Sequence, residues 1–152
     1  MEKTNISLCA KSAAYSLIVY LCTSWLHLYG QSSVILIRYI CYSALWWYVL
    51  DKYKDDKTIH NSQASIVVSM ILAVLILEIP VRIAFFQASI GSIPSLMGTI
   101  GGIFLSYWCY KQRKVWVFVI ALTVLAIICT IGLEKWEEVY WIYRGNEVES
   151  LK

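Results

Sequence analysis

Charge is what this sequence has least of. Asp, Glu, Lys and Arg make up 15% of its 152 residues, where soluble domains carry about 25%. That deficit leaves too little polar surface to solvate a globule on all sides, and it argues against a soluble enzyme domain. Proline is limited to two residues and glycine to seven, which excludes collagen-like and low-complexity chains. No C-x-x-C joins any of the five cysteines, so the usual dithiol redox motif is missing. The net charge of +3 is modest and its basic residues are split up by apolar blocks, which does not make a nucleic-acid surface. Phosphate loop, nucleophile elbow, paired carboxylates and metal-ligand spacing are all absent from the sequence. No cofactor is expected, and an enzyme is not the favoured reading.

What is there is apolar: 59% of the residues, with a mean hydropathy of +0.62. A hydrocarbon core of about 30 Å takes roughly 20 helical residues. Five blocks of about that size follow one another, at 10–29, 33–50, 64–86, 95–110 and 115–133. The expected fold is all-α: a polytopic membrane protein with five transmembrane helices in one bundle over 1–133. A tail, 134–152, is expected to carry a short interfacial helix, because Trp136, Val139, Tyr140 and Tyr143 recur at helical spacing with Glu134, Glu137 and Glu138 largely on another face.

Orientation follows from the basic residues. Lys3 and Lys11 lie at the N-terminus, Lys52, Lys54 and Lys57 in the second link, and Lys111, Arg113 and Lys114 in the fourth. The first and third links hold no Lys or Arg. This alternation predicts a cytoplasmic N-terminus and an extracytoplasmic C-terminus in a bacterial inner membrane.

Intramembrane ionisable residues are costly and by default functional. In the predicted frame His27, Arg38, Glu78 and Arg82 fall at similar depth in the outer leaflet, from three helices. Glu78 and Arg82 are spaced i,i+4 with Pro80 between them, and the proline leaves the carbonyl of Ile76 without its usual donor. The four residues are a candidate polar site. The competing reading is structural: Arg82 snorkels to the headgroups and Glu78 neutralises it or Arg38. Gly98 and Gly102, with Ser95 and Ser106, form a small-residue stripe suited to close helix packing. Cys22 and Cys41 fall at similar depth on neighbouring blocks and are the one pair that a hairpin could bring together. Otherwise the cysteines read as apolar packing residues.

The stretch from Arg82 to Lys114, R-I-A-F-F-Q-A-S-I-G-S-I-P-S-L-M-G-T-I-G-G-I-F-L-S-Y-W-C-Y-K-Q-R-K, combines an arginine, aromatics, a serine-rich turn with proline, a glycine-containing helix and a basic loop. It resembles the multi-span membrane domain that precedes TlpA-type thioredoxin-like domains in some bacterial proteins. Trp136 to Arg144 is similar to the segment joining the two. This chain has no W-C-x-x-C, so a redox role implied by the resemblance requires a separate partner. The expected function is a membrane anchor or scaffold, partnered by the lipid bilayer and by an extracytoplasmic protein, for which the resemblance implies a thioredoxin-like one. The alternatives are a small transporter or permease subunit using the polar site, or an immunity-type membrane protein.

Overall fold

The computed structural model describes residues 2–26, 31–52, 57–84 and 93–150, with side chains over 6–26, 31–48, 62–80, 82–84 and 93–145. Among the described residues the chain is helical. Its elements are α1 (Glu2–Ser24), α2 (Gln31–Lys52), α3 (Lys57–Ala84), α4 (Ile93–Gln112) and α5 (Val115–Ser150). Each expected span overlaps one of these helices. Three of the five, α1, α3 and α5, are long and apolar enough to cross a membrane.

The helices pair in an interleaved way. α1 packs chiefly on α3 and α2 chiefly on α4, while α5 leans on α2 and α4. The Ser16 hydroxyl donates to the Met70 carbonyl at 3.3 Å and that of Ser69 to the Cys9 carbonyl at 3.3 Å, so α1 and α3 run parallel. Gly98 against Ile35 and Gly102 against Tyr39 put α2 and α4 in parallel register too. Sequential neighbours run antiparallel: Tyr15 reaches the Cys41 carbonyl while Thr23 reaches Arg38.

α2 is the centre. The bulkiest fully buried side chains, Trp46, Arg38, Tyr39 and Tyr42, all belong to it. They fit because five of the six buried residues of α4, Ser95, Thr99, Gly102, Ser106 and Cys109, are small and recur every three or four positions, Ile103 being the bulky sixth. That spacing is a seam along which two helices approach closely. Trp46 Nε1 donates to Ser106 Oγ at 3.1 Å and its ring lies 5.1 Å from that of Tyr107. α5 is held by Tyr39 stacked on Phe118, with centroids 5.2 Å apart, and by a small cluster of Ile35, Cys129 and Leu133.

Two expectations need correction. The first concerns the tail: no separate interfacial helix begins at residue 134, since α5 runs unbroken from Val115 to Ser150. The residues Glu134-Lys135-Trp136-Glu137-Glu138 contain no glycine or proline, and Glu and Lys are good helix formers, so nothing stops the helix at the apolar boundary. The second concerns α1, which begins at Glu2 and ends at Ser24, earlier at both ends than the 10–29 block. Helix propensity carries it back through Lys11 into the polar N-terminus. α3 continues through Pro80 to Ala84.

Between α4 and α5 the turn is tight. Arg113 adopts a positive φ of 53°, and its N–H donates to the Tyr110 carbonyl at 2.9 Å. This is the left-handed cap that usually falls to glycine.

Candidate functional site

Arg38 lies one-third of the way along α2, and its side chain is fully buried. A guanidinium has five N–H donors, and here each has an acceptor. Nε donates to Thr23 Oγ1 at 2.8 Å. Nη1 donates to Thr99 Oγ1 at 2.7 Å and, more weakly, to Ser95 Oγ at 3.5 Å. Nη2 donates to the Tyr20 carbonyl at 3.2 Å and to Ser24 Oγ at 3.4 Å. The Tyr20 ring covers the group, 4.0 Å from Cζ to the centroid, a cation–π distance.

The hydroxyls are oriented for this task. Thr23 Oγ1 donates its own proton to the Val19 carbonyl at 2.7 Å, Ser24 Oγ to Tyr20 at 2.7 Å and Thr99 Oγ1 to Ser95 at 2.7 Å. Each proton is thereby committed to the preceding turn of its own helix. The oxygen lone pairs are left for the cation. Among the described residues no carboxylate forms an ion pair with Arg38. The charge is instead dispersed over oriented dipoles from α1 and α4, which holds three helices together at one level.

Glu78 and Arg82 meet on α3, with Arg82 Nε 2.6 Å from Glu78 Oε2. Their side chains are 13% and 16% exposed, so the pair sits at the rim of the bundle. α3 packs on α1 and, less, on α4, not along α2. The four expected site residues are therefore divided: Arg38 in an internal clamp, Glu78 and Arg82 in a pair of their own, and His27 outside the described residues. Among the described residues, Arg38 and the Glu78–Arg82 pair are two separate polar features. The physical reason is register: Arg38 faces α1 and α4, and the hydroxyls there satisfy it before a carboxylate on α3 can.

Reading the sequence for charge missed Tyr20, Thr23, Ser24 and Thr99. The available signal was the i,i+4 pair Ser95 and Thr99 in line with the glycine stripe, at the depth of Arg38. Gly98 and Gly102 do line the α2 contact. A Cβ on Gly98 would lie 2.5 Å from Ile35 Cδ1, whereas one on Gly102 would meet Tyr39 no closer than 3.8 Å.

All five cysteines are free; Cys22 is exposed and Cys41 half-buried. Cys41 lies beside Tyr15, whose hydroxyl donates to its carbonyl at 2.9 Å, about two turns of α1 away from Cys22. The hairpin does not join the two cysteines. A groove of about 490 Å³ opens between α1 and α3, walled by small side chains including Cys9, Ala10, Ala13, Ser65 and Ser69. It belongs to the other half of α1 from the Arg38 clamp. Among the described residues no group of three His, Cys, Asp or Glu side chains is placed to hold a metal ion.

No protein-family model matches the chain, and no curated protein or solved structure matches it either.

Proposed function

We propose that the chain is a five-span scaffold of the bacterial inner membrane, with its N-terminus in the cytoplasm, that displays the C-terminal half of α5 to an extracytoplasmic protein. The observation that carries this reading is α5 itself. At 1.5 Å per residue its 36 residues extend about 54 Å, against a hydrocarbon core of about 30 Å. Only 6% of its apolar window is buried against the rest of the chain, compared with 33% for α1 and 29% for α3. Beyond the acidic turn at Glu134, Glu137 and Glu138 it carries exposed Val139, Trp141, Ile142 and Tyr143, an apolar and aromatic surface of the kind that protein partners use. The antiparallel alternation of successive helices supports five crossings, with α2 and α4 shielding their polar residues against neighbours.

The resemblance of Arg82 to Lys114 favours a thioredoxin-like partner. A transporter is less well supported. Its site would use Glu78, Arg82 and Arg38; the Arg38 guanidinium spends all five N–H groups on the protein, and Arg82 is paired with Glu78.

Two experiments test the proposal. A C-terminal alkaline phosphatase fusion is expected to be active and a green fluorescent protein fusion dark; the reverse pattern removes the topology. A photo-crosslinking residue at Trp141 or Ile142 is expected to give an adduct with an extracytoplasmic thioredoxin-like protein. Adducts to lipid alone at both positions would refute partner display.

A further inference from the structure

The α4–α5 turn has a composition that neither the Arg38 clamp nor the display of α5 uses. Lys111, Arg113 and Lys114 are all exposed, and among the described residues none of them forms an ion pair with a carboxylate. Exposed aromatics flank them: Trp108 is 51% exposed and Trp116 58%. Lys114 Nζ lies 5.6 Å from the Trp116 ring centroid. Trp47 meets Tyr110 edge to face at 5.8 Å, which extends the aromatic collar onto α2. Tryptophan and tyrosine prefer the headgroup level of a bilayer, so the collar sets the three cations at the depth of lipid phosphates.

The backbone adds to the positive potential. α5 starts at Val115, directly after Lys114. A helix's first N–H groups lack intrahelical acceptors, and its dipole places positive charge there. The Val117 N–H turns back to the Lys114 carbonyl at 3.1 Å. The positive φ of Arg113 reverses the chain within two residues, so that Lys111 at the end of α4 and Arg113 and Lys114 in the turn crowd one corner.

We propose that this turn is a binding site for the phosphate headgroup of an anionic phospholipid. A lipid is favoured over a soluble anion because the exposed aromatics and the apolar flanks of α4 and α5 offer a surface for glycerol and acyl chains beside the cations. The inference requires only that α5 lies in a bilayer, so it stands apart from the partner-display reading.

The test is native mass spectrometry of the whole protein in detergent, titrated with phosphatidylglycerol or phosphatidylcholine. Phosphatidylglycerol is expected to bind the unaltered protein at least tenfold more tightly. Juxtamembrane basic residues contribute roughly fivefold each, so K111Q/R113Q/K114Q is expected to weaken phosphatidylglycerol binding by about 100-fold. R113G keeps the turn, because glycine favours a positive φ, and is expected to fold normally while losing roughly fivefold in phosphatidylglycerol binding. Equal binding of the two lipids by the unaltered protein overturns the proposal. So does undiminished binding by a folded R113G, or displacement of the lipid by millimolar inorganic phosphate.

Discussion

Arg38 places a cation in the interior with hydroxyls, one carbonyl and one ring as its company. Its energetics are asymmetric. Hydrogen bonds to a charged group contribute about 1.5–3 kcal/mol each, and an orphaned charged donor carries the full desolvation penalty. Thr99→Val removes the 2.7 Å acceptor and leaves Nη1 with only the distant Ser95 oxygen. It should destabilise the protein by about 2 kcal/mol or more in detergent unfolding. Arg38→Met removes the charge, and the three hydroxyl protons remain satisfied by their own helices. In that background Thr99→Val should cost less than about 1 kcal/mol. Equal costs in both backgrounds would show that Thr99 does not hold Arg38. Arg38 was legible in the sequence because it alone interrupts its apolar block. Its partners were not, since serine and threonine are common in apolar helices and only the register of three helices decides which of them face the cation.

At the scale of the element, the α2–α4 seam has one tight point and one slack one. Gly98→Ala drives a methyl to within 2.5–3.1 Å of three Ile35 side-chain atoms, and Ile35 is itself buried against Cys129 and Leu133. Overpacking of this kind costs about 1–3 kcal/mol. Gly102→Ala, with its nearest atom at 3.8 Å, should be neutral or slightly stabilising, since alanine is the better helix former. Comparing the melting temperatures of the two variants checks the seam, and equal shifts would contradict the geometry. α3 makes a second prediction. Glu78 and Arg82 lie across Pro80 and 2.6 Å apart, so Glu78→Gln combined with Arg82→Gln should be milder than the sum of the single changes by about 1 kcal/mol. Strict additivity would mean that the pair is not coupled. The positions of α2 and α4 follow closely from hydropathy, whereas α3 begins at Lys57, seven residues before its expected block. The ends of α1 and α5 do not follow from it either, because hydropathy marks where lipid stops, whereas a helix continues until its backbone finds a breaker. Glu2 to Lys11 and Glu134 to Ser150 contain no proline, and Gly145 alone does not end α5.

The whole molecule divides into a packed body and a projecting helix. From Glu134 to Gly145 the side chains of α5 are exposed, except for Trp136 and Tyr140, which are partly covered. Surface positions contribute little to stability. A stop codon after Leu133 should therefore leave the melting temperature of the body within about 3 °C of the full chain while abolishing adducts from α5. A large loss of stability would mean that the segment belongs to the fold. The interleaved pairing also has a consequence in time. Thr23 and Ser24 leave the ribosome before Arg38, but Ser95 and Thr99 follow it by 57 and 61 residues. At 5–20 residues per second that gap lasts about 3–12 s. Throughout it the nascent arginine has three of its five eventual acceptors and lacks the 2.7 Å one, Thr99, so insertion of this chain is most exposed to error before α4 is made.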